Sequence, residues 1–234
     1  MEEAIIIEKS IIIVAVFAIT MLFAMYCTLA ERKIAAWIQD RRGPNRAGPG
    51  GVFQPLADGL KLFAKEEFMP NTPNTFLFVL GPFISMTMAL MTSAVIPWGK
   101  TLEIGGRKVI LQAADINVAM LYVFAVLSVS VYGIMIGGWA SNNKYSLISA
   151  MRVASQMISY EIAMGLSIVA ILMMHSSMSL SDIAAGQHEM HWNIFYQPLG
   201  FFIFLICSFA ETNRTPFDLA ECEQELIGGY HTEY

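Results

Sequence analysis

Five apolar stretches constrain this chain more than any other feature: residues 5–30, 76–96, 116–140, 153–174 and 196–210. A helix needs roughly 20 apolar residues to cross the hydrocarbon core of a bilayer. In that core each backbone N–H and C=O must be satisfied within the protein, which leaves helices and closed barrels. Long runs without polar alternation fit helices. The chain is 56% hydrophobic and only 14% charged, with a mean hydropathy of +0.54, which excludes a soluble globular domain. The expected fold class is therefore all-α: a polytopic transmembrane helix bundle of about five spans, forming a single integral membrane domain over residues 1–234. The last stretch is short and needs tilt, local thinning or protein cover. The first is too long for a signal peptide, lacks a basic flank and is followed by no small-residue cleavage pattern, so it reads as a retained helix.

Basic residues set the expected orientation. Arg32, Lys33, Arg41, Arg42, Arg46, Lys61 and Lys65 follow the first stretch, Lys144 and Arg152 the third, and Arg214 the fifth; the alternate segments hold Lys9, Lys100, Arg107 and Lys108. The positive-inside rule places loops 31–75, 141–152 and 211–234 in the cytoplasm, or in the matrix of a mitochondrion, with the N-terminus outside. The net charge of −5 adds little, and nothing points to nucleic acid. Cys27, Cys207 and Cys222 have no paired spacing, so neither disulfides nor a protein-bound metal are expected. His175, His188 and His191 fall in an outer loop and read as solvated.

The first inside loop divides in two. Residues 41–51, RRGPNRAGPGG, combine cations with a Gly/Pro framework that excludes regular helix. From 52 to 67 apolar Phe53, Leu56, Leu60, Phe63 and Ala64 recur at helical spacing, giving an amphipathic helix too short to span. Such a helix lies along the membrane interface or roofs a cavity into which Asp58 and Lys61 face. Their spacing of three would let them pair.

Charged groups inside spans are costly and normally face a bundle interior. Glu161 is the clearest case, opposite a face made of Arg152, Ser155, Gln156 and Ser159, so this helix is polar on two sides and is expected among other helices. A structural interhelical hydrogen bond is the plain alternative for Glu161. Gly133 and Gly137, in GxxxG spacing and followed by Gly138, allow a neighbouring backbone close approach. After the fifth stretch, ETNRTPFDLAECEQE gathers Glu211, Asp218, Glu221, Glu223 and Glu225 against Arg214. Crowded carboxylates repel, so some are pushed toward protonation and the set titrates as a coupled group, a property that a proton relay requires. The competing reading is a solvated acidic helix; the flanking Thr215-Pro216-Phe217 and Leu226-Ile227, beside an apolar span, weigh against it.

Several segments together resemble a known family: Glu31-Arg32-Lys33, QDRRGPNRAG at 39–48, QPLADGLKL at 54–62, Lys65-Glu66, Ser159-Tyr160-Glu161 and the acidic segment 211–225. In order and without a gap, they look like the quinone-site membrane subunits of respiratory complex I, the proton-pumping NADH:quinone oxidoreductase. The resemblance implies tilted helices at the heel of an L-shaped complex in a bacterial cytoplasmic or mitochondrial inner membrane. Quinone, the substrate, would enter a long tunnel from the lipid. It carries over Arg32, Arg41, Asp58 and Lys61 as tunnel residues, and Glu161, Glu211, Glu221, Glu223 and Glu225, with Asp218 beside them, as the path linking the quinone cavity to the proton channels. It implies as partners the peripheral iron–sulfur subunits, which with others hold NADH, FMN and the clusters, and the adjacent small membrane subunits. This chain has no iron–sulfur ligand set and no flavin or nucleotide motif, so no catalytic residue is assigned to it alone. Family members continue with about three more helices after the acidic loop, so truncation relative to the family is expected. The alternatives are the equivalent subunit of a membrane-bound hydrogenase or other quinone oxidoreductase, or a non-functional fragment. A proton-coupled transporter is disfavoured, since no internal repeat is found.

Overall fold

The structure is a computed structural model that describes all residues except 1, 67–68, 71–73, 100, 105–106, 189–190, 215, 219–228 and 232–234. The chain forms two compact units, Met1–Phe68 and Met69–Tyr234.

The first unit begins with helix α1, Glu2–Ile38. It runs on through Glu31-Arg32-Lys33, which the hydropathy pattern leaves in a loop, because no Gly or Pro interrupts the chain before Gly43. Asp40 then takes a left-handed φ of 50°, and the chain turns back, with Arg41 N–H donating to Ala36 O at 2.9 Å. In the Gly/Pro loop Gly51 has φ +81°, and a Cβ there would overlap the Pro44 carbonyl oxygen. Gly51→Ala should therefore cost more than the roughly 1–2 kcal/mol of the left-handed backbone alone. The expected readout is faster proteolytic nicking within residues 41–53, whereas Gly59→Ala, where an added Cβ meets nothing within 4 Å, should leave the nicking rate unchanged. Helix α2, Gln54–Phe63, follows, with Pro55 in its first turn, where the missing N–H costs nothing. It is shorter than the amphipathic pattern over 52–67, and Leu56, Leu60 and Phe63 along it are exposed.

The second unit contains α3 (Thr75–Thr92), α4 (Ala119–Ala140), α5 (Lys144–His175), the short α6 (Leu180–Ala185) and α7 (Asn193–Tyr196), and α8 (Pro198–Glu211). α5 starts well before the apolar stretch at 153. Asn143 caps it by accepting Tyr145 N–H at 3.0 Å, so residues 144–152 are helical where a loop is expected from hydropathy. Between α3 and α4 lies an unexpected antiparallel hairpin, β1 (Thr101–Ile104) and β2 (Arg107–Ile110), paired Thr101 to Ile110 and Ile104 to Arg107. The strands are too short to carry a readable alternation; a Gly-Gly dipeptide between them is the one local hairpin signal.

Small residues set the helix packing. A Cβ added to Gly81 of α3 would come within 3.0 Å of Gly133 O and of the Gly137 backbone, and one on Gly133 would overlap Ser85 Oγ. A Cβ on Gly138 would overlap that of Ala150, so α4 approaches α5 through its third glycine. Two cores result. Val131 and Ile134 meet Ala150, Val153, Ala154 and Met157, while Met164, Ile168 and Cys207 join α5 to α8 with Phe124 and Leu127 beside them. Outside these seams many apolar side chains face outward, including Leu121, Leu166, Leu199 and Phe202. Among the described residues four helices are long and apolar enough to cross a membrane, and α8 is a further, shorter apolar helix. This is the all-α polytopic architecture expected from the sequence.

Candidate functional site

Half-buried Glu161 on α5 faces α4, where its Oε1 lies within hydrogen-bond reach of Ser128 Oγ. The same hydroxyl lies 2.9 Å from Phe124 O. A serine has one proton to donate. It can serve the carboxylate or the carbonyl, and when it serves the carbonyl, the contact with Glu161 requires a proton on the acid. The hydroxyl rotor and the charge on Glu161 are thus linked. Glu211, the last residue of α8, is half-buried and near enough to Glu161 for the two carboxylates to repel.

Beyond Glu211 the chain is tied to the bundle by specific contacts. Asn213 takes a left-handed φ of 49°. Its N–H bonds Ala210 O and that of Arg214 bonds Phe209 O, each at 3.2 Å, the paired bonds that end a helix in a Schellman turn. Asn213 Oδ1 is buried and lacks a hydrogen-bond partner among the described residues. Phe217 N–H then bonds Arg214 O at 2.8 Å, turning the chain toward α5. There Gln156 Nε2 donates to Phe217 O at 2.8 Å, and the rings of Tyr160 and Phe217 meet edge to face, with centroids 5.0 Å apart. Further along, Ser146 Oγ donates to Tyr230 O at 3.0 Å, and Tyr230 packs against the first core. Asp218 directly follows the Phe217 anchor. Glu221, Glu223 and Glu225 lie outside the described residues, in sequence between two anchors that both sit on α5.

In the first unit, Asp58 pairs with Arg32 rather than with Lys61: Arg32 Nη1 lies 2.6 Å from Asp58 Oδ2, and Gln54 Nε2 donates to Oδ1 at 3.0 Å. The spacing of three points to Lys61 because it is a local signal; the extension of α1 through Arg32 supplies a closer partner. The Gln54 hydrogen bond, then the Arg32 guanidinium, hold the Asp58 carboxyl below the ordinary aspartate range, with a smaller contribution from Lys61. A depressed value means that the interaction is complete at neutral pH and is lost only as pH falls through that lowered value. Both side chains are solvent-exposed, so the pair contributes little stability and matters for position. Lys33 Nζ donates to Gly50 O at 2.6 Å, which ties α1 to the Gly/Pro loop that returns to it. Arg41 makes a local contact, its Nε donating to Gln39 Oε1 at 2.7 Å.

Sequence reasoning singles out Glu161 and Glu211 but misses Ser128. A search for hydroxyls within the apolar stretch 116–140 is the signal that finds it. Helical spacing groups Gln156 with Ser155 and Ser159; the structure gives it a separate task as the anchor of Phe217. Ser155 and Ser159 are exposed and bond backward to Met151 O and Ser155 O. Nor is His175 simply solvated: its Nε2 lies 2.9 Å from Asn193 Oδ1.

These features define a class: polytopic α-helical membrane proteins with ionisable groups packed between the helices. Residues 11–234 match the family model for NADH dehydrogenase, and the chain belongs to that family. It is 72% identical over its whole length to the H subunit of the NADH-quinone oxidoreductase of Flavobacterium johnsoniae, of which it covers 67%. It is 64% identical over 97% of its length to an H subunit of the NADH-quinone oxidoreductase of Cytophaga hutchinsonii, of which it covers 66%. The chain thus spans about two-thirds of the length of these curated relatives.

Proposed function

We propose that this chain is the membrane subunit of a proton-translocating NADH:quinone oxidoreductase, in which it forms part of the quinone tunnel and part of the acidic path that couples quinone reduction to the membrane arm. The observation that supports this reading best is the placement of Glu161 between α4 and α5, bonded to Ser128 and in electrostatic range of Glu211. Reduction of a quinone to a quinol consumes two electrons and two protons. The electrons would come from clusters on peripheral partner subunits, fed by NADH and FMN. This chain's own groups would wall the tunnel, place charge and carry protons.

In the first unit, Arg32, Arg41, Asp58 and Lys61 are the proposed tunnel residues. The Arg32–Asp58 pair fixes α2 against α1 by a charged contact whose geometry Gln54 enforces. The exposed apolar face of α2 suits cover by quinone tail, lipid or a partner subunit. In the second unit, Glu161, Glu211 and Asp218, with Glu221, Glu223 and Glu225, are the proposed proton path. A change of charge at the quinone would alter proton occupancy along this set, since like charges at short range cannot all remain ionised. The proposed orientation keeps the acidic segment in the cytoplasm. Its flanking residues Phe217 and Tyr230 are held by Gln156 and Ser146, both in the first half of α5, which supports that reading.

The reading is tested by tagging the chain in its native host and isolating it from gently solubilised membranes. Co-purification of peripheral iron–sulfur subunits with inhibitor-sensitive NADH:quinone activity is the expected result. Recovery with hydrogenase subunits and no NADH activity would overturn it. In the same preparation Arg32→Ala should raise the KM for quinone several-fold at unchanged NADH:ferricyanide activity, a readout that bypasses the tunnel.

A further inference from the structure

A cavity of about 520 Å³ opens where α4 begins, α5 ends and α8 begins, beneath the short helices α6 and α7. This is within the range of roughly 300–1,000 Å³ typical of small-ligand sites. Its wall is apolar, with Met120, Ile168, Ile171, Ile183, Phe201 and Phe204 among the lining residues. Gln187 and Asn193 are the two side-chain amides on its lining. The acceptor oxygen of each is already engaged: Asn193 Oδ1 with His175 Nε2 at 2.9 Å, and Gln187 Oε1 with Asn193 N–H at 3.3 Å. What these amides have left to offer is chiefly their NH₂ donors. The cavity therefore joins a long apolar wall to amide groups with N–H donors to give, each amide oxygen already using one of its two lone pairs. Leu199 and Phe202, sequence neighbours of the lining residues of α8, are outward-facing apolar side chains that a membrane lipid can meet.

We propose that this cavity binds one acyl chain of a glycerophospholipid, with an ester or phosphate oxygen of the same lipid accepting hydrogen bonds from Gln187 and Asn193. A glycerophospholipid matches both halves of the site: methylenes for the wall, and oxygens that accept without donating for the amides. Seated there, it would brace the ends of α4, α5 and α8 against one another.

The test uses the complex that contains this chain, reconstituted in phosphatidylethanolamine and phosphatidylglycerol vesicles. These carry a trace of phosphatidylethanolamine with a diazirine near the middle of one acyl chain. After illumination, peptides containing Met120 and Ile171 should be labelled several-fold more than those of the exposed α1 face at Val14 and Phe17. Ile171→Trp, which fills the cavity, should remove that excess and leave the α1 labelling unchanged. Gln187→Leu should reduce it while the cavity stays open. Labelling no stronger than on α1 would mean that protein fills the space, and would overturn the proposal. So would an excess that survives Ile171→Trp in an assembled complex. Should that variant fail to assemble, the wild-type complex decides: displacement by unlabelled oleic acid as readily as by unlabelled phosphatidylethanolamine would assign the site to free fatty acids and reject the phospholipid.

Discussion

Gly133→Leu should abolish accumulation of the assembled complex, and Gly133→Ala should lower it markedly. Even a single Cβ at this position overlaps Ser85 Oγ and comes within 2.8 Å of Gly81 O, and the latter is backbone that cannot swing aside. Overpacking of a tight seam typically costs about 1–3 kcal/mol, and here the strain falls on the crossing that holds α3 to α4. Gly81→Ala should behave alike, since its Cβ meets the Gly133 and Gly137 backbone at 3.0 Å. Gly165→Ala provides the contrast. That glycine lies inside α5 and an added Cβ meets nothing within 4 Å, so the change should be neutral or stabilising by up to about 1 kcal/mol through helix propensity. Native gel electrophoresis of solubilised membranes, with thermal inactivation of the purified complex, distinguishes the two outcomes.

Glu161→Gln should leave assembly intact and lower coupled NADH:quinone activity on the order of a hundredfold, the low end of what a positioned proton carrier contributes. The amide preserves size and can still meet Ser128, but it cannot take up and release a proton. Ser128→Ala removes the hydroxyl that meets Glu161, a hydrogen bond worth roughly 0.5–1.5 kcal/mol net, and should reduce activity by about tenfold or less. The order of the two effects is diagnostic. If Glu161 were merely a structural interhelical contact, the isosteric Glu161→Gln would be the milder change and Ser128→Ala the more damaging.

The parts of this fold legible in the sequence are those governed by one-dimensional periodicity. Apolar runs locate the membrane helices, and Gly133 and Gly137 in GxxxG spacing mark the face by which α4 meets α3; that Gly81 is their counterpart on α3 is seen only in the structure. Helix ends are less legible, because polarity and helicity are different properties. Arg32 and Lys144 are polar yet lie on helices, and the boundaries are set by Asp40, where the chain turns left-handed, and by the Asn143 cap. Partners distant in sequence are not legible at all. Asp58 is 26 residues from Arg32, Glu161 is 33 from Ser128, and Gln156 is 61 from Phe217. Each of these pairs depends on how the chain returns on itself, which no local spacing encodes. The acids themselves are conspicuous because charge beside a membrane span is costly, whereas the hydroxyl and amide groups that hold them in place carry no such signal.

We propose that Glu161 and Glu211 convey protons whose movement is tied to quinone reduction. This coupling is tested most directly in sealed vesicles containing Glu211→Gln complex, with proton uptake and NADH oxidation recorded together. The expected result is a reduced rate of both, and fewer protons translocated per electron in whatever turnover remains. A variant that pumps the wild-type number of protons per electron at the wild-type rate would contradict it.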